Sequence, residues 1–224
     1  MKEFLLEQKW GFVKAGGEII PKNKLRKFMP TNAVIIDAGA HIGADSVELA
    51  RMFPSAKIHC FEPVPAIYSF LTHNTRKCDN IKCYDIALSS ETGTTNMYVS
   101  AGGSDASSSL QKPADHLADH SDVTFEKEIV VTTKTLDDWA TDNNISKVDF
   151  LWLDMQGHEL EVLKSSTKIL PTVKAIHSEV SLKKTYENAP LYKDYKAWLE
   201  SKGFRVEIEA IPAGADMGNV LFVR

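Results

Sequence analysis

Three acids, Asp37, Glu62 and Asp85, each close a short apolar run, and Gly39 and Gly43 follow directly on the first of them. An acid at a strand end followed by a bare turn has the shape of a nucleotide-binding loop. A dinucleotide loop has the pattern G-x-G-x-x-G because its middle glycine lets backbone amides touch a pyrophosphate. Here the turn is Gly39-Ala40-His41-Ile42-Gly43, so its middle carries side chains. The Asp37 carboxylate would also repel a pyrophosphate. It suits a ligand with a cationic amino group, met directly or through water.

Glu62 stands nineteen positions past Gly43, where a carboxylate can accept both hydroxyls of a ribose. Asp85, at the end of the third run, can read an adenine edge. An amino acid, a ribose and an adenine without phosphate describe S-adenosylmethionine. Each residue alone has a plainer reading: tight-turn glycines, an acid stopping a strand before Pro63, an acid paired with a surface lysine. The ordered set on three successive strands favours the cofactor. His41 is expected to line the same loop.

A second group lies further along. Asp154 ends the run "VDFLWLD", His158 and Glu159 follow it, and His177 and Glu179 lie in "TVKAIHSEV". A hydroxyl that attacks an electrophile must lose its proton. Asp154 is the candidate to accept it, to bind the acceptor, or to hold a divalent cation that acidifies the hydroxyl. Its plainer role is to cap the following helix. Glu179, on an adjacent strand end, completes a candidate carboxylate pair for Mg2+. His158 and Glu159 open a helix, and one of them is expected to face the ligand crevice. His177 reads as a hydrogen-bonded structural histidine. Ser107 to Ser109 either shape the acceptor site or form a linker. Trp139, Trp152 and Trp198 read as core or interface.

These positions need a scaffold, and the alternation of patterns supplies one. Strands are expected over 33–37, 57–61 and 81–88, with helices over 44–53 and 64–77 between them. A β arm (92–100), a Gly/Ser/Asp-rich stretch (101–122) and a strand (128–133) interrupt the rhythm. The stretch over 101–122 is either a lid or disordered. A short helix over 135–143 has Thr135 as its N-cap. Strand 148–154, helix 157–166, strand 172–180 and an amphipathic helix from Leu191 to Leu199 follow. The last two strands, "FRVEIEAI" and "NVLFVR", are joined too tightly for a helix and are expected to be antiparallel. The fold class is α/β: a doubly wound, mostly parallel, Rossmann-like seven-stranded sheet with an antiparallel C-terminal hairpin strand and a β-arm/loop insertion. Residues 1–32 form an N-terminal extension, and 33–224 a single domain with its insertion at about 91–130.

The 224 residues are 43% hydrophobic and 25% charged, as in an ordinary soluble globule. A net charge of −4 gives no general field for nucleic acid or an anionic membrane. The basic cluster Lys22, Lys24, Arg26 and Lys27 reads as solvated surface. No apolar run is long enough for a signal peptide or a spanning helix. Three cysteines without metal-type spacing read as reduced thiols in a cytoplasmic protein.

The segments "VIIDAGAHIGADS", "IHCFEPVP", "DIALSSETG", "SSSL", "TLDDW" and above all "VDFLWLDMQGHELEVLKSS" resemble class I S-adenosylmethionine-dependent methyltransferases, and more closely their FkbM-type family. The resemblance runs from about Asn32 to the C-terminus. It implies methyl transfer, most often to a hydroxyl of a carbohydrate or natural product. The matching motifs add Pro63 and Ala87 to the cofactor-binding set. Two departures stand in the last motif: Trp152-Leu153 replaces a common Lys-Ile, and Gln156 replaces a common Glu before Gly157. The competing readings are an NAD-type oxidoreductase, disfavoured by Ala40 and His41, and a cofactor-binding module without turnover. The acceptor's identity and the oligomeric state are not legible.

Overall fold

The computed structural model describes residues 20–114 and 122–224. The N-terminal segment 1–19 and the centre of the serine-rich stretch, 115–121, lie outside the described residues.

The first strand, β1 (Val34–Ala38), is buried on both faces, as a continuous apolar run requires. Helix α1 (Ala44–Met52) leaves the glycine turn and stops before Pro54. Strand β2 (Lys57–Phe61), helix α2 (Pro65–Thr75, with Pro65 in its first turn) and strand β3 (Ile81–Tyr84) complete the first half. The second half runs through α3 (Leu136–Asp142), β7 (Phe150–Leu153), α4 (Glu159–Ser165), β8 (Ala175–Ser181), α5 (Tyr192–Ser201), β9 (Arg205–Ala210) and β10 (Met217–Val223). Thr135 caps α3 as expected, accepting the Asp138 N–H at 3.0 Å.

The seven-stranded sheet has the order β3-β2-β1-β7-β8-β10-β9, and β10 runs antiparallel to both its neighbours. Its register sorts the core. Ile35, Phe150, Ala175 and Val223 lie in one row and pack with Leu25, Leu49 and Leu71 on one face. Ile36, Leu151, Ile176 and Phe222 form the next row and pack with Trp139, Leu163 and Leu199 on the other. This is the doubly wound α/β fold the alternation implied.

The expected third strand is broken. Residues after Tyr84 leave the large sheet, and β4 (Ala87–Leu88) pairs with the end of β6 (Val123–Lys134) in a second sheet of order β4-β6-β5, with β5 spanning Gly93–Gly102. The apolar pattern continues across the break because Ile86 and Leu88 still enter the main core. Pattern alone does not reveal the change of partner.

The basic cluster also needs correction. Lys24, Arg26 and Lys27 are exposed, but Lys22 is buried. Its ammonium pairs with Asp45 at 2.6 Å and Glu48 at 2.7 Å and lies 4.8 Å from the centre of the Trp152 ring. His177 differs as well: its ring stacks on Trp152 at 3.6 Å, and its buried Nδ1 has no hydrogen-bond partner among the described residues. Burial, aided by the Lys22 charge, lowers its pKa to about 3, so it is neutral. All three cysteines are free thiols. Among the described residues no helix is long and apolar enough to cross a membrane.

Candidate functional site

The carboxyl ends of β1, β2, β7 and β8 gather most of the singled-out side chains. Asp37, 1% exposed, accepts a hydrogen bond from the Ser46 hydroxyl at the start of α1. The Cys60 thiol supports that hydroxyl from β2 at 3.2 Å. Burial pushes the Asp37 carboxyl up to about 7, against the opposing pull of Ser46.

The glycine turn is pinned from two sides. The Gly39 and Ala40 N–H groups donate to the Phe61 carbonyl at 3.1 and 3.0 Å. Gly39 has φ +80°, and a Cβ there would stand 1.8 Å from the Asp154 carbonyl oxygen, so the turn lies directly on the chain leaving β7. His41 adopts φ +48°, which aims its N–H at Glu62 Oε2, 3.1 Å away. The other oxygen, Oε1, accepts the Val64 N–H at 2.8 Å across Pro63. The buried Glu62 carboxylate is therefore oriented before any ligand arrives. Burial raises its pKa to about 7, although the two amides favour the charged form. Ala87 packs with Ile42 and Val64 beneath the turn, while Asp85 is exposed just beyond β3.

Across the Gly39 contact lies the second group. Gln156, with φ +53°, donates from one amide nitrogen to Asp154 Oδ1 at 2.8 Å and to Glu179 Oε2 at 3.0 Å. Burial raises the Asp154 pKa, and burial followed by the charges of Asp154 and Glu159 raises that of Glu179 well above the usual carboxylate range. Glu159 is buried, and its Oε1 accepts the Met155 N–H at 2.7 Å and the Gly157 N–H at 3.4 Å. Glu159 thus folds the loop between β7 and α4. The N-cap position of α4 is His158, so Asp154 is not the cap of that helix.

Both ring nitrogens of His158 are engaged, so neither stands free in this arrangement. Gln111 donates its amide to Nδ1 at 3.0 Å, which leaves the ring proton on Nε2 to reach the Ser89 hydroxyl at 3.1 Å. Burial lowers its pKa and keeps this neutral form. The Asp154–Glu179 pair does not fit a divalent cation either. An amide N–H donor stands between the two carboxylates, and among the described residues no group of three or more His, Cys, Asp or Glu could hold a metal ion.

The described part of the serine-rich stretch is fastened along this end of the sheet. Asp105 meets His41 Nε2 at 3.1 Å, and the Ser109 hydroxyl donates to the Gln156 carbonyl at 2.8 Å. The Tyr186 hydroxyl stands 2.9 Å from the Ser107 carbonyl and 3.0 Å from Gln156 Oε1. A cavity opens here, lined by Gln156, Glu159, Glu179, Tyr186, Tyr192 and Tyr195 among others. Sequence reasoning missed Tyr186, Asp105 and Ser46. The first two sit in aperiodic loops, and Ser46 reads as one polar position on a helix.

A sheet in this strand order, with one antiparallel strand next to the edge and acids at the ends of β1 and β2 around a glycine turn, is the class I methyltransferase fold. The model of the methyltransferase FkbM domain matches residues 37–206, and the chain belongs to that family. It is 31% identical over 159 residues to the 2-O-methyltransferase NoeI of Sinorhizobium fredii, a match covering 69% of this chain and 65% of that protein. The crystal structure of methyltransferase FkbM from Methylobacillus flagellatus is similar with a TM-score of 0.56 at 13% identity, covering 87% of this chain and 44% of that one. Aeropyrum pernix fibrillarin, solved with natively bound S-adenosyl-L-methionine, is similar with a TM-score of 0.51 at 13% identity, over 88% of this chain and 68% of that one. The chain thus spans less than two thirds of the length of NoeI and of the FkbM structure.

Proposed function

We propose that the protein is an S-adenosylmethionine-dependent O-methyltransferase acting on a hydroxyl of a carbohydrate or other small molecule. The observation that carries this reading is the back-to-back arrangement at Gly39. On one side stand two buried acids, Asp37 and Glu62, around a turn unsuited to phosphate. On the other stand the partly exposed Asp154 and Glu179, joined through Gln156, with Glu179 and Gln156 lining a cavity. The name of NoeI supports O-methylation, and the cofactor of the fibrillarin complex supports the donor.

In this reading Asp37 receives the amino group of the methionine part, Glu62 the two ribose hydroxyls, and Asp85 the adenine edge. Gly39, His41 and Gly43 shape the turn beneath them, with Pro63 and Ala87 packed alongside. When bound, the cofactor supplies a methyl group already activated on a sulfonium. The chain's task is then alignment and proton removal. Asp154 accepts the proton of the acceptor hydroxyl, and Glu179 holds a neighbouring hydroxyl. Residues 33–224 form the catalytic unit, with 91–130 as the insertion that holds the cavity residues Tyr186 and Gln156 through Ser107 and Ser109.

Calorimetry with S-adenosylmethionine, S-adenosylhomocysteine and NAD tests the donor half. Labelled methyl transfer to a panel of sugar and natural-product alcohols tests the acceptor half. Binding of NAD in place of the adenosyl ligands overturns the reading. Cofactor binding with no product on any alcohol favours a binding module.

A further inference from the structure

We propose that Gln156 does the work of a divalent cation between Asp154 and Glu179, positioning Asp154 for proton transfer without a metal. This rests on the reading of Asp154 as the acceptor-side base. Two carboxylates brought to one point repel each other unless a cation, a proton or a donor stands between them. Here the Gln156 Nε2 fills that point, 2.8 Å from one carboxylate and 3.0 Å from the other. An amide NH2 has two hydrogens and no acceptor capacity, so one group satisfies both carboxylates and can ligate no metal through that atom.

The loop is shaped to hold the amide there. Gln156 has φ +53°, a conformation costly to any residue with a β-carbon, and Gly157 follows at φ +92° with no room for a side chain beside Ala189. Tyr186 stands at the oxygen end of the amide, 3.0 Å away, which distinguishes Oε1 from Nε2 and turns the nitrogen toward the acids. The Ser109 hydroxyl fixes the backbone carbonyl of the same residue at 2.8 Å. Among the described residues, the cavity lining carries no lysine, arginine or histidine to take over the role. A glutamate at 156 would put three carboxylates around one point, a set that Mg2+ or Mn2+ satisfies well.

The test uses the full chain and Mn2+ or Mg2+, read by calorimetry and melting temperature, with turnover under EDTA added for an alcohol that the panel above shows to be methylated. The wild-type protein is expected to show no saturable Mn2+ binding, and its methyl transfer to be unchanged by EDTA. Gln156→Glu is expected to bind one Mn2+ per chain and to melt higher with it. The gain should disappear when Glu179→Ala is added. If Gln156→Glu fails to fold, as judged by circular dichroism, Gln156→Ala replaces it, and the uncovered pair should then recruit Mn2+ more weakly. Wild-type Mn2+ binding lost in Glu179→Ala, or EDTA-sensitive turnover, overturns the proposal. So does a folded 156 variant that ignores both metals. Failure of S-adenosylmethionine to bind would strike the functional reading instead and leave the metal titration intact.

Discussion

Replacing Glu62 by alanine tests the donor half most sharply. The carboxylate is 6% exposed and held by the His41 and Val64 amides at 3.1 and 2.8 Å, so no rearrangement is needed for it to meet a ribose. A hydrogen bond to a charged group contributes about 1.5–3 kcal/mol. Two hydroxyls at the lower bound give about 3 kcal/mol, which is roughly a hundredfold in Kd. Glu62→Gln keeps one acceptor oxygen and should lose about half of this, roughly tenfold. The assay is calorimetric titration with S-adenosylhomocysteine, with circular dichroism to confirm the fold. There is also a pH signature. The free carboxyl sits at about 7 and must be charged to accept both hydroxyls, so wild-type affinity should weaken as pH falls through that value. The dependence should be shallower in Glu62→Ala, where Asp37, also near 7, still titrates. An unchanged Kd in Glu62→Ala would refute the reasoning.

Asp154→Asn removes a charge but little volume; turnover should fall by about 10²–10⁴-fold, the usual loss for one proton acceptor, while the cofactor Kd and melting temperature hold. Normal turnover in that variant would remove Asp154 from the chemistry. Gly39→Ala would drive a methyl group into the Asp154 carbonyl at a left-handed φ, which should cost about 3 kcal/mol and lower the melting temperature by roughly 6–12 °C, with loss of cofactor binding. A well-folded, binding-competent Gly39→Ala would show that the turn can move away. In the ligand-free protein Asp37, Glu62 and Glu159 titrate near 7, above their usual values of 3.8 to 4.5. Their protonated forms favour the folded state, so this contribution is full below about pH 4 and is lost as pH rises through about 7. The melting temperature without ligand should therefore fall less steeply in Glu159→Gln than in the wild type between about pH 4 and pH 7, a comparison in which the buried histidines contribute equally, and identical curves would contradict the burial argument.

The arrangement proposed to hold the donor was legible as a pattern because it is local. An apolar run, an acid and a glycine turn are punctuation within ten residues, from Val34 to Gly43, and the seven-strand order follows from alternation. The acceptor half was legible only as separate residues. Gln156, Glu179 and Tyr186 meet because β7 and β8 are neighbours and an aperiodic loop folds back, which no spacing encodes. His158 has the look of a catalytic imidazole beside an acid at a helix start. Its partners, Ser89 and Gln111, are 69 and 47 positions away in the chain and turn it into a fastening. Lys22 looked solvated beside three basic neighbours, and only the distant Asp45, Glu48 and Trp152 explain its burial.

The close packing of Gly39 on Asp154 has a consequence for how such a chain can change over generations. Most residues assigned to the donor sit in or directly after β1 and β2, where a substitution disturbs the centre of the sheet. Part of the cavity lining comes from loops, Gln156 and Gly157 after β7 and Tyr186, Ala189 and Pro190 after β8, and the inserted stretch holds two of these residues through Ser107 and Ser109. Mutation can rewrite those loops one residue at a time while the sheet stays as it is. At the joint itself, where a single methyl group would collide with backbone, no such drift is open. Selection for a new acceptor is therefore channelled into those loops, and the glycine remains as the fixed point around which acceptor preferences diverge.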